Sequence, residues 1–291
     1  MTTPANALRA LLGRGRLLVM PCCFDALSAR LIERAGFPLT FMSGFAVSAT
    51  RLALPDTGLI SYGEMVDQGR SICAAVAIPV IGDGDTGYGD DGNVARTVRG
   101  YAAAGFAAVM IEDQVAPKRC GHTRGKAVVD RDHAIARIRA AVAARDGGAD
   151  ILILARTDAR ATHGLDEALA RARAFAAAGA DILFVEAPTD EGELATVCRA
   201  LPGFKMANMI EGGATPVLPP ARLEDLGFAI AAYPLTLLSA AARAMTEALA
   251  DLAAGRCRDQ RLMDFAELQG IVGFDDYDAE QRRYAGPRRR G

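Results

Sequence analysis

The chain has 291 residues, a hydrophobic content of 51% and a formal net charge of −2, which excludes a disordered chain and argues against a nucleic-acid partner. Its most apolar long stretch, 228–254, contains Pro234 and Arg243 and therefore predicts no membrane span. The first apolar run is too short for a signal peptide. The six cysteines do not have the spacing of a zinc site. Together, these observations lead us to expect a cytoplasmic protein.

Eight short apolar runs recur along the chain, with stretches of helical periodicity between most of them. The runs are 17–20, 39–42, 78–81, 107–111, 151–155, 182–185, 205–207 and 228–231. Asp130 and either Thr189 or Asp190 are predicted helix N-caps, and Gly179 is a predicted helix end. Strands that alternate with helices predict a parallel sheet, and eight of them over this length predict a (β/α)8 barrel. A doubly wound sheet is the alternative, although no Gly-x-Gly-x-x-Gly follows the first run.

No linker divides the sequence, and we expect a single structural domain. The barrel is predicted over 1–255 and a C-terminal helical extension with a basic tail over 256–291. Two long connections, 44–59 and 117–129, interrupt the regular alternation. Long loops in compact domains are frequently functional, so we expect both near the active site.

Polar residues follow the apolar runs at the points where the strands should end. They are Asp83, Asp85, Glu112, Arg156, Glu186 and Asn208. Since active sites of such barrels form at the carboxyl ends of the strands, we expect these side chains to converge. Oxygen ligands without histidine suit Mg²⁺ or Mn²⁺. Alone, Asp83 and Asp85 are equally consistent with an ordinary glycine-rich loop, but the acids after two further strands favour a metal site.

The run Lys-Arg-Cys-Gly-His at 118–122 surrounds Cys120 with cationic side chains. Such surroundings favour the thiolate, so Cys120 is a candidate nucleophile or proton donor. The alternative is an incidental thiol on a solvated basic loop. Arg156 is a candidate clamp for a substrate carboxylate, and its alternative is a structural salt bridge with Glu112 or Glu186.

These motifs together resemble the isocitrate lyase/phosphoenolpyruvate mutase superfamily, over about residues 20–284. The segments that carry the resemblance are Asp83–Gly89, Ile111–Gln114, Lys118–His122, Ala155–Asp158 and Asn208–Gly213. The resemblance implies a modified (β/α)8 barrel whose last helix is swapped between subunits. It also implies a homotetramer built as a dimer of dimers, acting on a small dicarboxylate.

The resemblance further implies roles for individual residues. The metal ligands would be Asp85 directly, and Asp83 and Glu112 mostly through water. Cys120 would lie on a mobile loop that closes over the substrate. We expect the catalytic residues to be Cys120, Lys118, Arg156 and Glu112. We expect the substrate-binding residues to be Ser43, Gly44, Asp56, Gly121, His122, Arg156, Glu186 and Asn208.

Within the superfamily, the chain looks most like the branch that contains 2,3-dimethylmalate lyases, petal death proteins and methylisocitrate lyases. Ser239 stands where methylisocitrate lyases place an arginine, and if Ser239 faces the site, this predicts a substrate with one carboxylate fewer. We therefore expect a carbon–carbon lyase that cleaves a 2-alkylmalate by retro-aldol chemistry. The alternatives are 2-methylisocitrate lyase, oxaloacetate hydrolase or decarboxylase, carboxyphosphonoenolpyruvate mutase, and a barrel that binds a dicarboxylate without catalysis.

Overall fold

The computed structural model describes residues 2–121, 125–256 and 262–284. Eight parallel strands pair in chain order and close into a barrel, which confirms the predicted (β/α)8 architecture. The strands are β1 (Leu18–Cys23), β2 (Thr40–Met42), β3 (Val80–Asp83), β4 (Ala108–Glu112), β5 (Leu152–Thr157), β6 (Ile182–Val185), β7 (Phe204–Asn208) and β8 (Ile230–Tyr233). Each predicted run overlaps one strand, and the ends differ by three residues or fewer.

Helices connect the strands and extend beyond the last one. They are α1 (Pro4–Leu12), α2 (Ala26–Arg34), α3 (Gly44–Val47), α4 (Tyr62–Ala75), α5 (Asp91–Ala104), α6 (Arg131–Asp146), α7 (Ala159–His163), α8 (Leu165–Ala177), α9 (Glu191–Ala200), α10 (Pro220–Leu226), α11 (Thr236–Ala253), α12 (Phe265–Val272) and α13 (Phe274–Tyr284). A π-helical turn, Ser48–Leu52, follows α3 directly.

The predicted helix signals are confirmed. The side chain of Asp130 accepts a hydrogen bond from the backbone N–H of His133, and Asp190 caps α9 in the same way. The backbone of Gly179 has a φ of +102° just after α8, a conformation that residues with a Cβ rarely adopt. Its N–H bonds to the carbonyl of Ala176 and ends the helix.

Apolar residues form two layers. One cluster lies inside the barrel, where α1 contributes Leu8 and Leu12 next to strand residues such as Leu18 and Leu152. The second and larger cluster lies between the strands and the surrounding helices and includes Phe175. Because the barrel interior is packed in this way, the accessible space is left at the mouth.

The chain forms two compact units, Met1–Ser239 and Ala240–Gly291. The first contains the barrel. In the second, large apolar side chains are exposed on three helices, and among them Leu249 is 66%, Phe265 74% and Tyr277 61% exposed. Among the described residues, no helix has the length and apolar character to span a membrane. The expected boundary at 255 and the expected helix swap stay predictions.

Candidate active site

Side-chain alternation along the strands explains why the polar residues meet at one end of the barrel. In β4, Ala108 and Met110 join the interior cluster, whereas Val109 and Ile111 pack against the outer helices. Glu112, two residues after Met110, therefore continues the interior series. The same two-residue spacing puts four more polar residues inside the barrel. They are Asp83 after Ile81, Arg156 after Leu154, Glu186 after Phe184 and Asn208 after Met206.

A cavity opens at this end of the barrel. Nine of the predicted site residues line it: Ser43, Asp56, Asp83, Lys118, Cys120, Gly121, Arg156, Glu186 and Asn208. Gly44, Asp85 and Glu112 do not line the cavity, but each contacts a residue that does. His122 lies outside the described residues. The structure thus brings the predicted residues of both long loops and of six strands to one place.

Lys118 connects the two long loops through a buried ion-pair network. Its Nζ lies 2.5 Å from Oδ1 of Asp56 and 3.0 Å from Oδ1 of Asp85. Asp83 is held close by, because its carboxylate accepts hydrogen bonds from the backbone N–H groups of Gly44 and Asp85, at 3.2 and 3.0 Å. The arrangement concentrates three carboxylates around one ammonium group.

Burial perturbs the ionisation of this group. It raises the pKa of Asp85 to about 7, with Lys118 opposing the change and Asp83 adding to it. Burial also raises the pKa of Glu112, which Arg156 partly counteracts. For Lys118 burial acts to lower the pKa, but the surrounding carboxylates, led by Asp85, outweigh it and raise the pKa. Excess negative charge is therefore the dominant electrostatic feature of the site.

The donor set fits a hard cation. Among the described residues, no three acidic, histidine or cysteine side chains already form a metal-binding group. However, oxygen atoms dominate the site, and within the described part of the chain Oε1 of Glu112 is buried without a hydrogen-bond partner. Asp85, Asp83 and Glu112 are the residues placed to hold Mg²⁺ or Mn²⁺, directly or through water.

Arg156 is the centre of a second ion-pair cluster. Its Nε and Nη2 lie 2.8 and 3.0 Å from the two carboxylate oxygens of Asp158. Nε also lies 3.3 Å from Oε2 of Glu112, and Nη2 lies 3.3 Å from Oε2 of Glu186. Arg156 both forms the predicted salt bridges and lines the cavity, so the two interpretations of this residue are compatible.

The loop that carries Cys120 covers part of the cavity. The backbone N–H of Cys120 donates to the carbonyl of Asp56 at 3.1 Å. Gly121 packs so closely against Arg156 and Glu186 that an added Cβ would overlap the guanidinium and lie 2.8 Å from the Glu186 carboxyl carbon. Glycine is required here for a close approach of the loop to the charged cluster.

Apolar side chains also line the cavity, and we refer to five of them as the apolar wall. It consists of Phe45, Met206, Ile210, Pro234 and Leu235. Ser239 does not belong to the lining; it is exposed at the start of α11. The inference of one carboxylate fewer depended on Ser239 facing the site, and the described lining does not supply that condition.

Sequence reasoning missed three polar residues that surround the loop: Gln114, Lys126 and Asp158. All three are almost fully buried and hydrogen-bonded to the loop or to Arg156. One feature of the sequence could have identified Lys126. The chain contains three lysines, Lys118, Lys126 and Lys205, and two of them lie in this loop. The apolar wall was missed because its residues come from distant segments of the chain.

The fold and the site define a (β/α)8-barrel enzyme with an acidic mouth. The family model described as phosphoenolpyruvate phosphomutase matches residues 8–253. The chain is 41% identical to 2,3-dimethylmalate lyase of Eubacterium barkeri, with 98% of this chain and 99% of that protein covered. It is 39% identical to 2-methylisocitrate lyase of Aeropyrum pernix, with coverage of 97% and 92%.

Solved structures agree with these relatives. A complex of oxaloacetate acetylhydrolase with the inhibitor 3,3-difluorooxalacetate superposes with a TM-score of 0.94 at 34% identity, covering 99% of both chains. A complex of phosphonopyruvate hydrolase with oxalate and Mg²⁺ has a TM-score of 0.86 at 31% identity, covering 98% of this chain and 100% of that one. The chain belongs to the phosphoenolpyruvate mutase/isocitrate lyase superfamily and is an enzyme of that superfamily.

Proposed function

We propose that this protein is a Mg²⁺-dependent lyase that cleaves a 2-alkylmalate, such as 2,3-dimethylmalate, into a 2-oxo acid and a carboxylate. The observation that supports it is that the cavity lining combines charged side chains with apolar ones. A dicarboxylate with alkyl substituents matches both kinds of side chain. The relative that shares 41% identity over nearly the whole chain is named for this substrate.

The charged and the apolar lining residues have distinct tasks in binding. Arg156 offers a planar guanidinium to one substrate carboxylate, and the hydroxyl of Ser43 is available to the other. The apolar wall accommodates the methyl groups. Among the described lining residues, the only cations are Lys118 and Arg156, and both already contact carboxylates. A third substrate carboxylate, as in 2-methylisocitrate, would find no further cation among these described lining residues.

The chemistry proceeds by transfer of one electron pair and two protons. Asp56, which lines the cavity beside Lys118, takes the proton of the substrate hydroxyl. The C2–C3 bond then breaks, C2 becomes the carbonyl of pyruvate, and the bonding pair passes to C3. The Sγ–H of Cys120 protonates C3 and releases propionate. The proton on Asp56 returns to the thiolate through solvent, so the reaction is balanced.

The metal would be held by Asp85, with Asp83 and Glu112 contributing through water. When bound, Mg²⁺ or Mn²⁺ supplies Lewis-acid stabilisation of the negative charge that develops during cleavage. Lys118 supports the same charge from the loop side. Closure of the loop over the cavity excludes water, which would otherwise protonate or hydrolyse the reacting groups.

Hydrolysis of oxaloacetate is the second candidate, because the structure of an oxaloacetate acetylhydrolase superposes with a TM-score of 0.94. This reaction needs a water or hydrate held over the substrate carbonyl by a polar group. The lining also includes the apolar side chains of Ile210, Pro234 and Leu235, which suit the alkyl groups of a substituted malate and have no counterpart to contact in oxaloacetate.

We further infer that the enzyme is a homotetramer, with helices exchanged between subunits. The support is the exposure of large apolar side chains on α11, α12 and α13, including Leu252 at 72% and Phe265 at 74%. Soluble monomers rarely expose a contiguous surface of this kind. A second copy of the chain would cover it.

The test of the activity is an end-point NMR assay with Mg²⁺ and four substrates offered separately: 2,3-dimethylmalate, 2-methylisocitrate, oxaloacetate and phosphonopyruvate. Pyruvate and propionate from the first substrate support the proposal. Oxalate and acetate from oxaloacetate, with dimethylmalate untouched, would establish a hydrolase instead. Preferential cleavage of 2-methylisocitrate would show that the site accepts a third carboxylate and that the argument from Lys118 and Arg156 is wrong.

A further inference from the structure

Two side chains outside the cavity form hydrogen bonds with the backbone on either side of Cys120. The first is Gln114, just after β4 and 1% exposed. Its Nε2 donates to the carbonyl of Arg119 at 2.8 Å, and its Oε1 accepts from the N–H of Arg119 at 2.9 Å. The donor and the acceptor of the Gln114 amide are thus both bonded to the backbone of Arg119. Gln114 does not line the cavity and has no direct path to the substrate.

The second is Lys126, whose side chain is 3% exposed. Its Nζ donates to the carbonyl of Gly121 and lies 2.8 Å from Oδ1 of Asp158. Asp158 holds the Arg156 guanidinium with both of its oxygens. A single buried carboxylate therefore connects the loop lysine to the arginine that lines the cavity.

These contacts fix the position of the thiol-bearing residue. Gln114 holds the residue before Cys120, Lys126 holds the residue after it, and Asp56 accepts from the N–H of Cys120 itself. The loop cannot move away from the cavity without breaking all three attachments. The hydrogen bonds involving the amide and the ammonium are buried, where an unmade bond is costly.

We propose that Gln114 and Lys126 are positioning residues that hold segment 119–121 over the cavity and so place Cys120 for proton transfer. The proposal about proton transfer rests on the proposed lyase function. The proposal about the loop does not, since the hold on the segment is measurable without any substrate. Neither residue is catalytic, because neither lines the cavity.

The variants that test this are Lys126→Met and Gln114→Leu. Each removes the hydrogen bonds and keeps a side chain of similar length. They act at opposite ends of the segment, and Gln114→Leu changes no charge. Lys205→Met is the matched control, because Lys205 is the remaining lysine and bonds only to the nearby carbonyl of Gly203.

Two readouts report the loop directly. Hydrogen–deuterium exchange in a peptide covering 117–126 should accelerate about tenfold or more in both variants, since the N–H groups of Arg119 and Cys120 lose protection. Exchange in the 165–177 helix should stay at the wild-type rate. Alkylation of Cys120 by iodoacetamide, followed by mass spectrometry of its peptide, should accelerate as well. Unchanged exchange and unchanged alkylation in both variants would overturn the proposal.

The kinetic readout separates positioning from general structure. With 2,3-dimethylmalate, kcat should fall about 10- to 100-fold because a thiol displaced by about 1 Å transfers its proton poorly, while KM changes less. Melting temperatures should remain near that of the wild type. A faster-exchanging loop with wild-type kcat would overturn the role in positioning Cys120. If the wild type cleaves none of the four substrates, the lyase assignment fails, and exchange and alkylation alone decide the proposal about the loop.

Discussion

Replacing Gly44 by alanine tests the geometry of the acidic side of the site. Gly44 begins α3, and its backbone N–H donates to Oδ2 of Asp83 at 3.2 Å. An added Cβ would overlap that oxygen and lie 3.0 Å from the Asp83 carboxyl carbon. Gly44 is not in the left-handed region, so alanine meets no backbone strain there. The perturbation is therefore purely a steric push on one carboxylate.

The size of the effect follows from the overlap. Carbon and oxygen atoms in ordinary contact lie about 3.5 Å apart, so the Asp83 carboxylate must move by close to 1 Å. A displacement of that size at a reacting centre costs about 100-fold in rate, equivalent to about 2.7 kcal/mol. Altered support of a metal site weakens metal affinity by about 10- to 100-fold. The hydrogen-bond donor is retained, so we expect little change in the free energy of unfolding.

The assays are steady-state kinetics on 2,3-dimethylmalate and calorimetric titration of Mg²⁺ in the presence of oxalate. Gly63→Ala is the control, because a Cβ on Gly63 in α4 meets only Oγ of Ser61 at 3.9 Å. Alanine there should leave turnover unchanged and stabilise the helix slightly. Wild-type metal affinity and turnover in Gly44→Ala would refute the assignment of Asp83 to the metal side of the site.

Four other predictions address the remaining parts of the molecule. Cys120→Ser should lower kcat by about 100-fold or more while calorimetry shows retained oxalate binding; wild-type turnover would remove Cys120 from the proton-transfer step. Asp85→Asn should weaken Mg²⁺ binding at least about tenfold with the fold intact by circular dichroism, and full activity in excess chelator would contradict the metal assignment. Gly69→Ala should cost about 1–3 kcal/mol in urea unfolding, because its Cβ would overlap the Phe106 ring, and a stabilised protein would show that the ring moves freely. Sedimentation velocity should give the mass of four chains, whereas an active monomer would exclude the tetramer.

Much of the fold was predictable because a barrel of parallel strands has a simple sequence pattern. Strands buried on both faces read as continuous apolar runs, and all eight runs overlap a strand. The short helices were not predicted. α3 and α7 have four and five residues, which is too few to show helical periodicity. The π-helical turn Ser48–Leu52 was missed for the same reason.

The charged half of the site was predictable for a related physical reason. A polar residue two positions after an inward-facing one is also inward-facing, so Glu112 and Arg156 could be placed at the mouth from the sequence. Contacts between distant segments were not predictable in this way. The hold of Lys126 on Gly121 depends on how the loop folds back.

Charge balance relates the loop to the metal site. Among the described residues, six buried carboxylates of the two clusters (Asp56, Asp83, Asp85, Glu112, Asp158 and Glu186) face three buried cations, Lys118, Lys126 and Arg156. Burial raises the pKa of Asp85 and of Glu112, and the neighbouring carboxylates add to the rise. Such an excess of buried negative charge is the condition under which a divalent cation binds well.

Two of those three cations are lysines from the Cys120 loop, in a chain that otherwise uses arginine almost everywhere. An ammonium is compact enough to sit between Asp56 and Asp85, or between Gly121 and Asp158, where a planar guanidinium would need more room. Movement of the loop toward the cavity therefore brings two positive charges to the carboxylates. Since Lys118 contacts Asp85, a residue proposed to bind the metal, loop position and metal binding must influence each other through that shared carboxylate.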